Sequence, residues 1–319
     1  MIGPLPVSYW PSLGGYNTRH AKLSLPKRSD GVPSWLQCPV WAPDGSIYTS
    51  SGYVPAGMTV AEREDTLICR HTRNPADPSG FWIREARMRL NGAGHGTGFA
   101  LLPDGSIALN WQRKASPGHL GTGVGDIVDQ LVKTKYVAGA TYWLDSPGVQ
   151  PYGEPELSQG YVLPYYDADN DYLLLRLAAG GGSTFTLRRR TDFELGIDEP
   201  GAVLGPITLD HAYYQGAASH GFEMLYLTGA AHAGDKLQMV RLFDLTTGRL
   251  HYEVPAAFAG PAGLYQEPEG ILITQRGVTG PPQVCIGYTV RPGEPVDQYS
   301  VMQKIRHPKT ETASAEDLP

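Results

Sequence analysis

Two stretches of this chain are near copies of each other. Trp41-Ala42-Pro43-Asp44-Gly45-Ser46-Ile47-Tyr48 and Leu101-Leu102-Pro103-Asp104-Gly105-Ser106-Ile107-Ala108 share Pro-Asp-Gly-Ser-Ile, with Pro43 and Pro103 standing 60 residues apart. An Asp-Gly pair supplies the positive φ angles of a tight turn without a Cβ clash, so each copy reads as strand, turn, strand. A hairpin that recurs at such a period is the signature of a repeat architecture, in which neighbouring units cover each other's apolar faces.

Three weaker copies keep the period. Gln159 to Tyr166 leads through Asp167-Ala168-Asp169-Asn170 into Asp171 to Leu175; Tyr214 to Ala218 precedes Glu223 to Leu227; Tyr265 to Gly270 runs into Ile271 to Ile273. Each unit begins at a polar residue beside a strand start: Gln37, His95, Gln159, Gln215 and Glu269 (with Glu267 two positions before it), at spacings of 58, 64, 56 and 54 residues. Further strand-like runs fill the units, among them Asp65 to Arg70, Phe81 to Arg87, Ser183 to Arg188, Leu237 to Asp244, Arg249 to Val254 and Gln283 to Val290. Asp126 to Tyr136 suits a helix or an outer strand. About four short strands per period make one blade, so the expected fold is an all-β, five-bladed β-propeller over residues 37–306. A solenoid competes, but its repeats are usually shorter and it would need caps that are not evident. Residues 1–36 are expected to form an arm that closes the ring or docks outside it, and residues 307–319 a loose polar tail.

Composition supports turns and a packed core. Gly 39 and Pro 27 make up about a fifth of 319 residues, and helices tolerate both badly. A hydrophobic fraction of 41% and an aromatic fraction of 10% are more than a disordered chain carries. Lys+Arg 26 against Asp+Glu 32 gives a net charge of −6, and the one basic run, Arg188 to Arg190, is short, so nucleic acid is not an expected partner. No stretch approaches the ~18 apolar residues of a membrane span. The first twenty residues lack a basic segment followed by an apolar one, so Sec export is not expected. Cys38, Cys69 and Cys285 are odd in number and scattered, which suits buried free thiols better than disulfides or zinc.

The innermost strand of each propeller blade lines the central channel. Gln37, His95, Gln159, Gln215 and Glu269 would therefore form a polar ring, either a cup for a sugar, an ion or water, or side chains that satisfy buried backbone. The rings of Trp41, Trp111, Trp143, Tyr166 and Tyr214, near hairpins and unit boundaries, suit a glycan or interface platform, or wedges between blades.

Catalytic candidates form no constellation. Glu154-Pro155-Glu156 and Glu267-Pro268-Glu269 could supply the paired carboxylates of a glycosidase, but their spatial separation is not readable. Asp167, Asp169 and Asp171 alternate as calcium ligands do, yet without the EF-hand glycine and distal glutamate; a polar turn tip is the simpler reading. No cofactor is expected, although a structural ion in the channel or at these aspartates is left open. His95 sits in a glycine-rich run, Gly92 to Gly98, that lacks the strand-to-helix setting of a nucleotide loop; His211, His220 and His232 show no metal-ligand spacing.

The unit starts Gly94-His95-Gly96, Ser158-Gln159-Gly160, Tyr214-Gln215-Gly216 and Glu267-Pro268-Glu269-Gly270-Ile271 resemble the five-bladed propeller family around teichoic acid biosynthesis protein C, which includes helveticin-type bacteriocins and phage minor tail proteins. The resemblance spans roughly residues 35–290. It implies a non-enzymatic virion component at a phage tail tip, made in the host cytoplasm and present in several copies. Its partners would be other tail proteins and a bacterial cell-surface glycan, or it would act as a rigid adaptor or a purely structural ring. It maps no catalytic residue here. The rivals are a wall-polymer hydrolase or phosphodiesterase, tested through Glu269 or His95, and a secreted bacteriocin-like propeller.

Overall fold

The structure, a computed structural model, describes residues 17–26, 34–59, 62–77, 82–114, 127–153, 162–179, 182–197, 199–207, 213–229, 238–256, 265–273, 284–291 and 299–305. Among them the strands order into five sheets, four of four strands and one of six. The first sheet contains β2 (Leu36–Trp41), β3 (Ile47–Tyr53), β4 (Asp65–Thr72) and β6 (Met88–Leu90), with β5 (Ile83–Arg84) paired to β4. The second contains β7 (Phe99–Leu101), β8 (Ser106–Lys114), β9 (Ile127–Lys135) and β11 (Gln150–Pro151). β12 (Val162–Asp167), β13 (Tyr172–Ala179), β14 (Gly182–Arg189) and β15 (Ala202–Ile207) form the third, and β16 (Tyr213–His220), β17 (Glu223–Gly229), β18 (Met239–Asp244) and β19 (Leu250–Pro255) the fourth. The last is β20 (Tyr265–Ile273), β21 (Val284–Arg291) and β22 (Tyr299–Ile305), completed by β1 (Asn17–Leu23). This is an all-β propeller. Within the segment Asp126 to Tyr136 residues 127–135 form the strand β9, and within the run Phe81 to Arg87 the described residues hold the short strand β5, with β6 following it.

The twin hairpins share one geometry. In both, the residue before proline closes the turn, Ala42 N–H to Ser46 C=O at 2.9 Å and Leu102 N–H to Ser106 C=O at 2.8 Å. Asp44 and Asp104 each accept the backbone N–H of the serine two residues on, at 2.9 Å. Gly45 and Gly105 take φ of 82° and 76°, the left-handed values an L side chain resists. Sequence repetition has thus become structural repetition.

Period-two alternation sends each sheet's side chains to two neighbours. In the fourth sheet, Ala217, Met224 and Tyr226 join the core shared with the third, while Ala218, Leu225 and Leu227 join the core shared with the last. In the second, Ala100, Ala108 and Leu131 pack against Val162, Leu173 and Leu175. Sheets covered on both faces read as continuous apolar runs such as Leu173-Leu174-Leu175, because neither face meets water. Leu23 of β1 is fully buried with Trp41, Ile47, Trp82, Leu272 and Cys285, where the last sheet meets the first.

Two departures from a plain meander tie neighbouring sheets together. Between β9 and β11 the chain leaves its own sheet, and β10 (Thr141–Tyr142) pairs parallel with β6 of the first. The short helix α1 (Arg190–Glu194) places Phe193 edge-on against Tyr152 of the second sheet, ring centroids 5.1 Å apart. Cys38, Cys69 and Cys285 are buried free thiols, and burial pushes Cys38 and Cys69 up to about 12. No helix among the described residues is long and apolar enough to cross a membrane.

Candidate functional site

Three of the five ring residues are buried on innermost strands and engage β20. Gln37 donates from Nε2 to Glu269 Oε2 at 3.5 Å, linking β2 to β20. Gln215 of β16 donates to Glu267 Oε1 at 3.2 Å, again on β20. Gln37, Gln215 and Glu269 are all buried. Each contact is an amide–carboxylate pair that ties a neighbouring sheet to β20. His95 stands apart from these pairs. It precedes β7, and its Nδ1 lies 2.7 Å from Oε1 of the buried Glu64. Gln159 lies outside the described residues, as do Glu154 and Glu156.

The glycines that follow Gln215, Glu269 and His95 have a packing reason. A Cβ on Gly216 would lie 3.1 Å from Gly270 Cα, so β16 and β20 meet backbone to backbone just past the ring. A Cβ on Gly96 would lie 2.8 Å from Thr66 Cγ2. The innermost strands β2, β16 and β20 thus approach one another closely at Gly216 and Gly270.

The C-terminal ends of the innermost strands line a cavity of about 50 Å³. All five sheets contribute: Pro39 to Trp41, Phe99 and Leu101, Tyr165 to Asp169, Ala217 to His220, and Ile271 to Ile273. Most of this wall is apolar. Its polar part comes from the third and fourth sheets, where His220 Nδ1 lies 3.9 Å from Asp167 Oδ1 and 3.8 Å from Asp169 Oδ2. Asp167 is buried, and burial pushes its carboxyl above the usual range. It accepts N–H groups from Asp169 at 3.1 Å, Asn170 Nδ2 at 2.9 Å and Gly221 at 2.6 Å, joining the turns of two sheets.

The three alternating aspartates diverge. Asp171, at φ 57°, turns to Arg190 Nε at 2.7 Å and the Tyr166 hydroxyl at 2.8 Å, away from the other two. Among the described residues no three His, Cys, Asp or Glu side chains are grouped to hold a metal ion.

The aromatics take separate places. Trp111 is only 1% exposed and packs in the core, which corrects its expected role in an accessible platform: a ring closed to solvent cannot meet a glycan. Trp41 lines the cavity and meets Trp82 edge-on, centroids 6.0 Å apart. Trp143 carries the Arg63 guanidinium 4.7 Å from its ring centre, beside β10. Tyr214 touches the Tyr165 hydroxyl and lies under Arg176 at 3.9 Å; burial pushes its phenol up. Tyr166 borders the cavity. Sequence reasoning named Trp41 and Tyr166 but not the meeting of His220 with Asp167 and Asp169, because hairpin turns of two sheets bring them together.

Residues 74–295 match the family model of the phage five-bladed β-propeller receptor-binding platform domain. The chain belongs to this family. Within solved structures this platform-family chain is similar to the tail fibre of Staphylococcus aureus phage P68, at 21% identity and a TM-score of 0.68 over 95% of the chain. It spans about half of that fibre, 55% of its length. Weaker likenesses, both at a TM-score of 0.49, are to an exo-β-1,3-galactanase of Phanerochaete chrysosporium and the catalytic domain of a Coprinopsis cinerea α-L-arabinofuranosidase. The galactanase shares 10% identity over 91% of this chain and 64% of its own; the arabinofuranosidase shares 12% over 90% and 97%. Neither reaches the level at which a common fold follows. No curated protein sequence matches the platform-family chain.

Proposed function

We propose that this chain is a five-bladed propeller of a phage tail that contacts the host cell surface and binds a surface glycan without cleaving it. The observation that carries this reading is the receptor-binding platform match over residues 74–295. Five sheets that each send an innermost strand to one cavity support the blade count. The chain works in the virion beside other tail proteins, in several copies, so that weak contacts add through effective concentration.

A non-catalytic role is supported by the fate of the carboxylates a hydrolase would need. Glu267 and Glu269 are each engaged by a glutamine amide, which offers no proton to relay. His95 is paired with Glu64 outside the amide ring. Residues 37–306 form the propeller in this reading. Residues 1–36 are the arm, closing the last sheet through β1 and offering the segment before it to neighbouring tail proteins; residues 307–319 are a polar tail.

Adsorption tests the reading. Host cells pre-incubated with purified chain should adsorb fewer phage particles, in proportion to occupied receptor. Adsorption unchanged at saturating protein would remove the host-contact role.

A further inference from the structure

We infer that His95 is the ring residue that meets the host ligand, as a rigid hydrogen-bond acceptor for a saccharide hydroxyl, and that Glu64 is the positioning residue that fixes its tautomer. This deepens the host-contact reading and rests on its surface glycan.

Access supplies the first reason. Gln37, Gln215 and Glu269 are buried, whereas 44% of the His95 side chain is exposed. Its polar contact among the described residues is Glu64 Oε1, 2.7 Å from Nδ1, and the Glu64 side chain is only 6% exposed. The Nδ1 edge of the imidazole thus faces the interior, and the Nε2 edge is the one turned to solvent.

Proton placement supplies the second. An ionised carboxylate only accepts, so Nδ1 donates to Glu64 and Nε2 of the neutral ring keeps its lone pair. Nε2 then accepts from a ligand hydroxyl and turns away a sulfate, a carboxylate or an ionised phosphate, which has no proton to give. An ammonium group would find one acceptor for its three N–H groups and is better served by water. A sugar hydroxyl matches the single acceptor.

Rigidity supplies the third. Gly94 donates its N–H to the Glu64 carbonyl at 2.9 Å, and its own carbonyl accepts Thr66 Oγ1 at 2.7 Å. The Gly96 carbonyl accepts Ser50 Oγ at 2.6 Å. Backbone on both sides of His95 is thereby tied to the first sheet, so little freedom remains to be lost when a ligand binds. Gly52 leaves room for the pair: a Cβ there would stand 2.7 Å from Glu64 Oε1 and 3.4 Å from His95 Nδ1.

Imidazole nitrogen spectra of the full chain at pH 8, with isotope-labelled histidine, test this. His95 should carry its proton on Nδ1 and none on Nε2, and Glu64→Gln should bring in the Nε2–H form. At least one of galactose, glucose and N-acetylglucosamine, at millimolar concentration, should move the Nε2 resonance of the parent; sulfate and methylammonium should not. His95→Phe, which keeps a ring and removes the lone pair, should weaken co-sedimentation with host walls about five- to tenfold, the worth of one hydrogen bond. The inference is overturned by a proton on Nε2 in the parent, by no response to any of the sugars, by a response to sulfate or methylammonium, or by equal wall affinity in the parent and His95→Phe. Parent chain that still pellets with walls alongside any of those results would leave the host-contact reading standing. Parent chain that stays in the supernatant would remove that reading, and this inference with it.

Discussion

Gly270 of the last sheet lies against Pro39 of the first: a Cβ built on Gly270 would stand 2.5 Å from Pro39 Cδ and 3.3 Å from the Gln37 carbonyl oxygen. Its φ of 136° is also outside the range L side chains adopt. Both constraints act where β20 closes onto β2, so the ring can close there only with glycine.

Gly270→Ala should therefore cost about 3 kcal/mol, combining overpacking with backbone strain. Gly105→Ala, at φ 76° with nothing within 4 Å, should cost only about 1 kcal/mol. Urea denaturation of the two variants checks the ordering. Equal losses would mean that the contact with Pro39 carries no weight.

Asp65 is fully buried and accepts Arg63 Nε, Arg89 Nε and the Gly92 N–H, each at 2.7 Å. Arg63 also reaches Asn91 Oδ1 at 2.7 Å and covers Trp143, so one carboxylate anchors β4, β6 and the strap at β10. Asp65→Asn leaves two guanidinium groups without their counter-charge and should cost about 3 kcal/mol. A change below 1 kcal/mol in the denaturation midpoint energy would contradict this.

His71 is fully buried, 3.0 Å from Thr49 Oγ1, and its Nδ1 has no partner among the described residues. Burial, helped by Arg84, pushes its pKa down to about 3. Between about pH 6.5 and 3 the unfolded chain binds a proton that the fold refuses, so stability is complete above pH 6.5 and falls as pH drops through that window. By pH 5 the loss should be about 2 kcal/mol. His71→Gln should flatten the profile between pH 7 and 5; an unchanged slope would assign the acid sensitivity elsewhere.

Leu23 links β1 to the final interface. Leu23→Ala removes a fully buried side chain from the cluster with Trp41, Trp82 and Leu272 and should cost about 3 kcal/mol. Stability equal to the parent would show that β1 contributes little to closing the ring.

How much of this was legible depends on what each feature needs. Pro-Asp-Gly-Ser-Ile carries its own conformation, so the twin hairpins and the repeat could be read from residue order. Gln215 and Glu269 could be placed on innermost strands because a polar residue before a glycine breaks an apolar run, and Gln37 because it opens the first unit of the repeat. Their mutual bonding could not, since it depends on how sheets far apart in sequence meet. The cavity was less legible still. Ala217, Ala218 and Ile271 look like ordinary strand residues, and Asp167 and Asp169 look like a turn tip. His220 reached them only because the Gly221 turn of the fourth sheet docks on Asp167. The strap at Thr141–Tyr142 spans two residues, too few for any periodicity to show.

Binding without cleavage is the central claim, and co-sedimentation with purified walls of the host bacterium tests it most directly. The full chain should pellet with the walls, saturate with rising concentration, and release no soluble saccharide on prolonged incubation. Protein that stays in the supernatant, or walls that shed fragments in its presence, would contradict the account.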